Sequence, residues 1–164
     1  AMLSVHSALR FGEIAALRIE HLDLANGIAH ILDAKAGSRD AYLSPPVVKK
    51  LQKRIRTRRS GLLISSRGNP GEVIPQPSKT FQRVFDKLFN VGVKDPRLKV
   101  TFHTFRHSAT TAVAKISKGD VYRVQAFAGH KSLQTSARYV KVDRDSMKSL
   151  AASLAISLER RPAK

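Results

Sequence analysis

Asn26-Gly27 lies between two short apolar runs, and no other feature of the chain constrains its fold as much. Asn-Gly favours a tight hairpin because both turn positions need positive φ. Leu22 to Leu24 and Ile28 to Leu32 therefore read as paired strands. A second turn over residues 35–40, with Lys35 at its tip, leads back to Ala41-Tyr42-Leu43. The result is a small three-stranded antiparallel sheet with helical periodicity on either side. Upstream, the apolar spacing from Leu3 to Leu17 predicts one helix. Downstream, Ser44-Pro45-Pro46 reads as a cap with proline opening a helix that runs to about Arg58. Gly61 to Ser66 is a short strand or buried extended segment, and Gly68 to Ser78, with Pro75 and Pro77, is a loop. Helices are predicted at about 78–91, 102–115, 119–128, 132–142 and 144–160. The fold class is α+β, mainly α, in a single domain over residues 1–164.

A chain of 164 residues supports one packed core of ordinary size. Cysteine is absent, so disulfides, thiolate catalysis and cysteine zinc sites are excluded. No apolar run approaches the ~20 residues of a membrane span, and no secretory signal opens the chain. These features suit a cytoplasmic setting. The chain opens on Ala1 rather than an initiator Met, and the helical pattern is already under way by Leu3, which reads as a piece of a longer protein.

The charge balance names the kind of partner. Lys and Arg total 30 against 12 Asp and Glu, a formal charge of +18. Such an excess favours a polyanion, because each neutralised phosphate releases condensed counterions. Seven basic residues fall within eleven positions: Lys49, Lys50, Lys53, Arg54, Arg56, Arg58 and Arg59. They read as contacts to phosphates along a duplex, indifferent to base sequence. A solvated helix face or a nuclear-localisation signal are the other readings of such a cluster. Lys131 and Arg138 are further candidate DNA contacts.

The chemistry concentrates between residues 103 and 139. His103-Thr104-Phe105-Arg106-His107 is followed by Gly129-His130, and Tyr139 comes nine residues later. This set suits a phenol attacking a phosphodiester without metal. A phenol with pKa near 10 is ionised to about one part in a thousand at neutral pH, so it needs a base or a strongly positive field. Guanidinium forks match pairs of phosphate oxygens, and fixed cations must stabilise the charge of the transition state. A zinc site at His103 and His107 is the weaker reading. Thr104 stands where a metalloprotease has Glu, and Arg106 would repel a dication. No cofactor is expected, since neither a Gly-x-x-x-x-Gly-Lys-Ser/Thr loop nor a Gly-x-Gly-x-x-Gly turn is present.

Ala8-Leu9-Arg10-Phe11-Gly12-Glu13-Ile14 resembles the Leu-Arg-x-Gly-Glu box of the tyrosine recombinases, or phage-type integrases. The His103 to His107 run resembles their second box, and Gly129-His130 with Arg138-Tyr139 resembles the third. Order and spacing agree over about 130 residues. The resemblance implies the fold of DNA breaking-rejoining enzymes and cleavage through a 3′-phosphotyrosyl link on Tyr139. It implies that Arg10 and Arg106 clamp the non-bridging oxygens, that His103 handles the tyrosine proton and that His130 hydrogen-bonds the phosphate. Lys35 is implied as the acid for the leaving 5′-oxygen, with Arg39 in the same turn as a rival DNA contact. Glu13 is read as holding an arginine or histidine in place, and His107 as supporting His103 from behind. Ser7-Ala8 departs from the Thr-Gly frequent in the family and is read as packing variation. The family's N-terminal DNA-binding domain is expected to be absent from this chain. Strand exchange implies a DNA-bound tetramer, to which the stripe Met147, Leu150, Leu154 and Leu158 of helix 146–158 could contribute. The same stripe could instead pack on its own domain. A type I topoisomerase and a non-catalytic DNA-binding relative are the alternatives.

Overall fold

A computed structural model describes residues 1–32, 37–66, 68–69, 71–141 and 144–159, with side chains described for 147–154 of the last stretch. The elements in order are α1 (Met2–Ser7), α2 (Phe11–Ala16), β1 (Leu22–Asp23), β2 (Ile28–Ile31), β3 (Arg39–Tyr42), α3 (Pro45–Ile55), α4 (Lys79–Phe89), α5 (Phe102–Ile116), α6 (Val121–Ala128), α7 (Leu133–Ala137) and α8 (Arg144–Glu159). Short 3-10 turns cover Ile19–His21 and Pro96–Leu98. The structure is mainly helical with one three-stranded antiparallel sheet, ordered β1-β2-β3. No helix among the described residues is long and apolar enough to cross a membrane.

The single helix predicted over Leu3 to Leu17 is two helices. Ala8 takes a left-handed conformation, φ 50 and ψ 25, and ends α1. Arg10 is extended and opens α2, where its N–H donates to Glu13 Oε2 at 2.7 Å. Apolar periodicity survives the break because Leu3, Leu9, Ile14 and Leu17 all enter one core. Periodicity detects which face is buried, not whether the backbone between two buried residues is continuous.

The hairpin also differs in detail. Only Gly27 of the Asn26-Gly27 pair has positive φ, at 67°. The connection is a longer loop in which Asp23 Oδ1 accepts from the Asn26 N–H at 3.0 Å, a side chain substituting for a backbone turn bond. Across β2 and β3 the register pairs Ala29 with Ala41, His30 with Asp40 and Ile31 with Arg39. Alternation puts Ala29, Ile31 and Ala41 in the core. Arg39, expected in the turn, is instead the first residue of β3 and shares the inner face.

Proline opens α3 behind Ser44. The helix ends at Ile55, short of Arg58, because Arg56 turns to φ 54. Val47, Leu51 and Ile55 are its buried stripe. The Gly61 segment is extended and buried at Leu62 and Leu63, and pairs with the chain after α2 through Ile19 N–H to Gly61 O and Leu63 N–H to Leu17 O. The described residues of 68–78 form no regular element. A run of phenylalanines then joins three helices. Phe81 contacts Phe85 and Phe102, Phe85 contacts Phe105, and Phe102 meets Phe11 edge-on at 5.3 Å. This run seats the start of α5 against the start of α2. α5 also packs on α1 and α6, and α6 on α7.

α7 stops at Ala137 rather than continuing to 142, and Tyr139 follows it in a turn whose N–H bonds to Ser136 O. On α8, Met147, Leu150 and Leu154 are exposed, so over this stretch the stripe does not pack on its own domain. Leu158 lies outside the described side chains.

Candidate active site

Glu13 stands at the centre of the site, its side chain only 6% exposed. Its carboxylate accepts from Arg10 Nη1 at 2.9 Å and from Arg39 Nη2 at 3.1 Å, and Arg106 Nη1 lies 4.0 Å away. Three guanidiniums thus share one carboxylate, which leaves two net positive charges. One acid is enough to hold the cations together and too few to neutralise them.

Each arginine is fixed differently. Arg106, on the second turn of α5, is buried, and its guanidinium donates to Ala8 O at 2.5 Å and to Ala128 O at 2.6 Å. The left-handed turn at Ala8 and the end of α6 are therefore tied to α5 by one side chain. Burial, assisted by Arg10 and opposed by Glu13, pushes Arg106 down to about 10, which leaves it charged at neutral pH. Arg10 is the exposed member, with 41% of its side chain open, and Nη2 reaches Gly129 O at 3.3 Å. It lines one cleft with His103 and Arg106 and another, of about 300 Å³, with Arg39 and His130. Arg39 lies flat on Gly129, where a Cβ would stand 2.2 Å from its Nε. Gly129 caps α6 with φ 64 and ψ 48. Its missing side chain therefore serves both the turn and the arginine.

Around this charge stand three imidazoles and the phenol. His103 and His107, one turn apart on α5, meet edge-on with ring centroids 4.6 Å apart. The Tyr139 hydroxyl is 2.5 Å from His107 Nδ1. The His130 ring stacks on Tyr139 at 5.8 Å and 21°, and its Nδ1 lies 2.9 Å from the buried Ser136 hydroxyl. The segment carrying Tyr139 is seated by Val140 on Gly119, where a Cβ would stand 3.1 Å from Val140 Cγ1.

The surroundings disfavour the charged form of two of these rings, His130 and His103. His130 is pushed from 6.5 down to about 4, by burial first and then by Arg106, Arg10 and Arg39. His103 is lowered by burial and by the charges of His107, Arg106 and Arg10. Burial raises the Tyr139 phenol, while Arg106 and Arg138 pull it back. Neutral imidazoles beside a protonated phenol can accept protons, and the excess cations can take up an anion.

Arg10, Glu13, His103, Arg106, His107, His130 and Tyr139 thus come together from four separate stretches of chain. Lys35 lies outside the described residues. The basic cluster is elsewhere: Lys49, Lys50 and Lys53 line the exposed face of α3. Two of its arginines are tied to backbone, Arg54 Nε to Leu63 O at 3.3 Å and Arg58 Nη2 to Leu62 O at 2.6 Å. Arg56 and Arg59 are exposed, as are Lys131 and Arg138 beside the site. The sequence reading missed Ser136 and treated Arg39 as a turn residue. The signal for Arg39 was present, since it stands two positions before the apolar Ala41 on a strand of period 2.

A profile of the Phage integrase family matches residues 1–145. A shufflon-specific DNA recombinase of Escherichia coli is 30% identical over 138 residues, which cover 84% of this chain and 32% of the relative. Tyrosine recombinase XerC of Pseudomonas entomophila (strain L48) is 29% identical over 145 residues, covering 84% of this chain and 45% of the relative. The chain therefore spans between about a third and just under half of these relatives' lengths. Among solved structures, the Tn1549 transposon integrase in complex with circular intermediate DNA is similar with a TM-score of 0.73 at 18% identity, over 93% of this chain and 58% of that one. The crystal structure of XerA recombinase is similar with a TM-score of 0.63 at 21% identity, over 99% of this chain and 57% of that one.

Proposed function

The chain belongs to the phage integrase family, and from that premise we propose that it is the catalytic part of a site-specific recombinase acting on double-stranded DNA. It cleaves and rejoins the duplex through a 3′-phosphotyrosine on Tyr139, without metal or nucleotide cofactor. The observation that carries this reading is the gathering of three guanidiniums around a single buried carboxylate, beside a phenol in contact with two imidazoles. The DNA recombinase among its relatives and the DNA-bound integrase among its structural neighbours support the choice of substrate.

The roles follow from exposure and charge. Arg10, the open guanidinium, takes the non-bridging oxygens of the scissile phosphate. Arg106 adds a fixed charge from beneath, where low dielectric strengthens it. Glu13 and Arg39 keep Arg10 in position. Neutral His130, with Nδ1 on Ser136, gives a hydrogen bond to phosphate from its other nitrogen. His103 lines the cleft of Arg10 and Arg106 and stands beside the entering phosphate. Lys35 supplies the proton to the leaving 5′-oxygen. The basic face of α3 carries contacts to the duplex flank. The exposed Met147, Leu150 and Leu154 of α8 dock on a neighbouring protomer in a tetramer assembled on DNA.

The test is a nicked suicide duplex, which traps the covalent product because the released strand diffuses away. The trapped peptide should map to Tyr139 by mass, and Tyr139→Phe should bind DNA and give no adduct. An adduct on another residue would refute the assignment.

A further inference from the structure

We propose that His107 is the catalytic residue that accepts the proton of Tyr139 as the phosphodiester is attacked, an inference that rests on the recombinase reading above. Among the three histidines, only His107 has a ring nitrogen within hydrogen-bond distance of the phenol oxygen, at 2.5 Å from Nδ1. His130 presents its ring face to the tyrosine, and its Nδ1 is engaged by Ser136. His103 meets the far side of the pair, edge-on to His107, and lines the arginine cleft. The cause lies in the chain path. α7 ends at Ala137, so Tyr139 arrives in a turn beside the second turn of α5, one turn beyond His103.

The step balances within the site. Tyr139 Oη forms its bond to phosphorus as the P–O5′ bond breaks. The phenol proton passes to His107 Nδ1, giving an imidazolium, and the 5′-oxygen takes a proton from the acid that Lys35 is proposed to supply. In rejoining, the 5′-hydroxyl attacks the phosphotyrosine and His107 Nδ1–H returns the proton to Oη. The charged and titratable groups around His107 are His103 and Arg106 on α5, His130 after α6, and Tyr139 with Arg138 after α7. Burial, then the charges of His107, Arg106 and Arg10, lower His103. The proton gained by His107 therefore has no acidic neighbour in this set to trap it, and the phosphate it stands beside offsets the new charge.

The test is single-turnover cleavage of the suicide duplex by the full chain across a pH series. His107→Asn retains an amide oxygen that can accept the phenol hydrogen bond but cannot take the proton. It should slow cleavage about 10²–10³-fold, the range for loss of a general base, with DNA affinity unchanged. The wild-type rate should fall on the acid side of the pH series, and His107→Asn should lack that limb and rise steadily with hydroxide. A fluorinated tyrosine at position 139, whose phenol ionises near neutrality, should restore most of the lost rate to His107→Asn and to His107→Ala. The inference is overturned if wild type forms the adduct while His107→Asn cleaves within about threefold of it. It is also overturned if the loss leaves the pH limb in place and ignores the fluorinated phenol, or if His103→Asn alone shows these signatures. Absence of any wild-type adduct on Tyr139 would instead sink the recombinase reading, and this inference with it.

Discussion

Gly129→Ala should damage the site through a residue 90 positions away in sequence. A methyl at Gly129 meets Arg39 Nε at 2.2 Å, Cδ at 2.4 Å and Cζ at 2.7 Å, so the arginine must leave its place. Leaving breaks the Arg39 Nη2 to Glu13 bond of 3.1 Å, in which the side chains are 17% and 6% exposed. A charge-assisted hydrogen bond of this kind contributes ~1.5–3 kcal/mol. Holding alanine in the left-handed region at φ 64 costs a further ~1–2 kcal/mol. Together these give a loss of roughly 2.5–5 kcal/mol by the same two contributions. In an Arg39→Ala background the three atoms that the methyl meets first are gone and so is the bond to Glu13, which leaves the backbone cost of ~1–2 kcal/mol. Urea unfolding of the four proteins in this cycle measures the coupling, provided the denaturant slope stays constant. If Gly129→Ala costs the same in both backgrounds, the packing of Arg39 on Gly129 is not what the glycine serves.

Arg106→Lys leaves one of the carbonyls of Ala8 and Ala128 unsatisfied, because a single ammonium cannot replace a fork reaching both. It should destabilise the fold by ~1–3 kcal/mol in thermal or urea melts as well as depress cleavage. Ala8→Gly relieves the left-handed turn but gives up a methyl buried against Ala109 and Ala128. The two effects, each ~1 kcal/mol, nearly cancel, whereas Ala8→Val should be clearly destabilising because a β-branched residue tolerates positive φ poorly. Stability should fall as pH is lowered from about 6.5 toward about 4 and then cease to depend on His130. In that window the unfolded chain binds a proton at His130 that the folded site refuses. His130→Gln should flatten this part of the curve, and an unchanged slope would refute the burial of a neutral ring.

Much of this architecture was readable from residue order alone. The sheet, the proline-led α3 and the helix carrying His103 and Arg106 all follow from turn chemistry, caps and apolar spacing. What escaped that reading has a common physical origin. The break at Ala8 runs against alanine's own preference and is held by a contact 98 residues distant, Arg106 to Ala8 O. Local propensity carries no trace of such a partner. α7 loses its last turn because Tyr139 is drawn onto α5, which also decides that His107 rather than His103 meets the phenol. Arg39 was open to inference from strand alternation, but a cation on an inner face contradicts the usual pattern, and it was read as a DNA contact in the turn. The residues that meet around Glu13 and Tyr139 were open to reading as candidates, and their pairings were not.

Arg106 joins the close of α1, the middle of the molecule and the close of α6 at one buried knot. On the proposed mechanism, that knot is also the electrostatic floor beneath the reacting phosphate. On that same mechanism, a molecule that loosens there forfeits its proposed cutting power in the same event, so that integrity of the fold and competence for chemistry rest on one side chain.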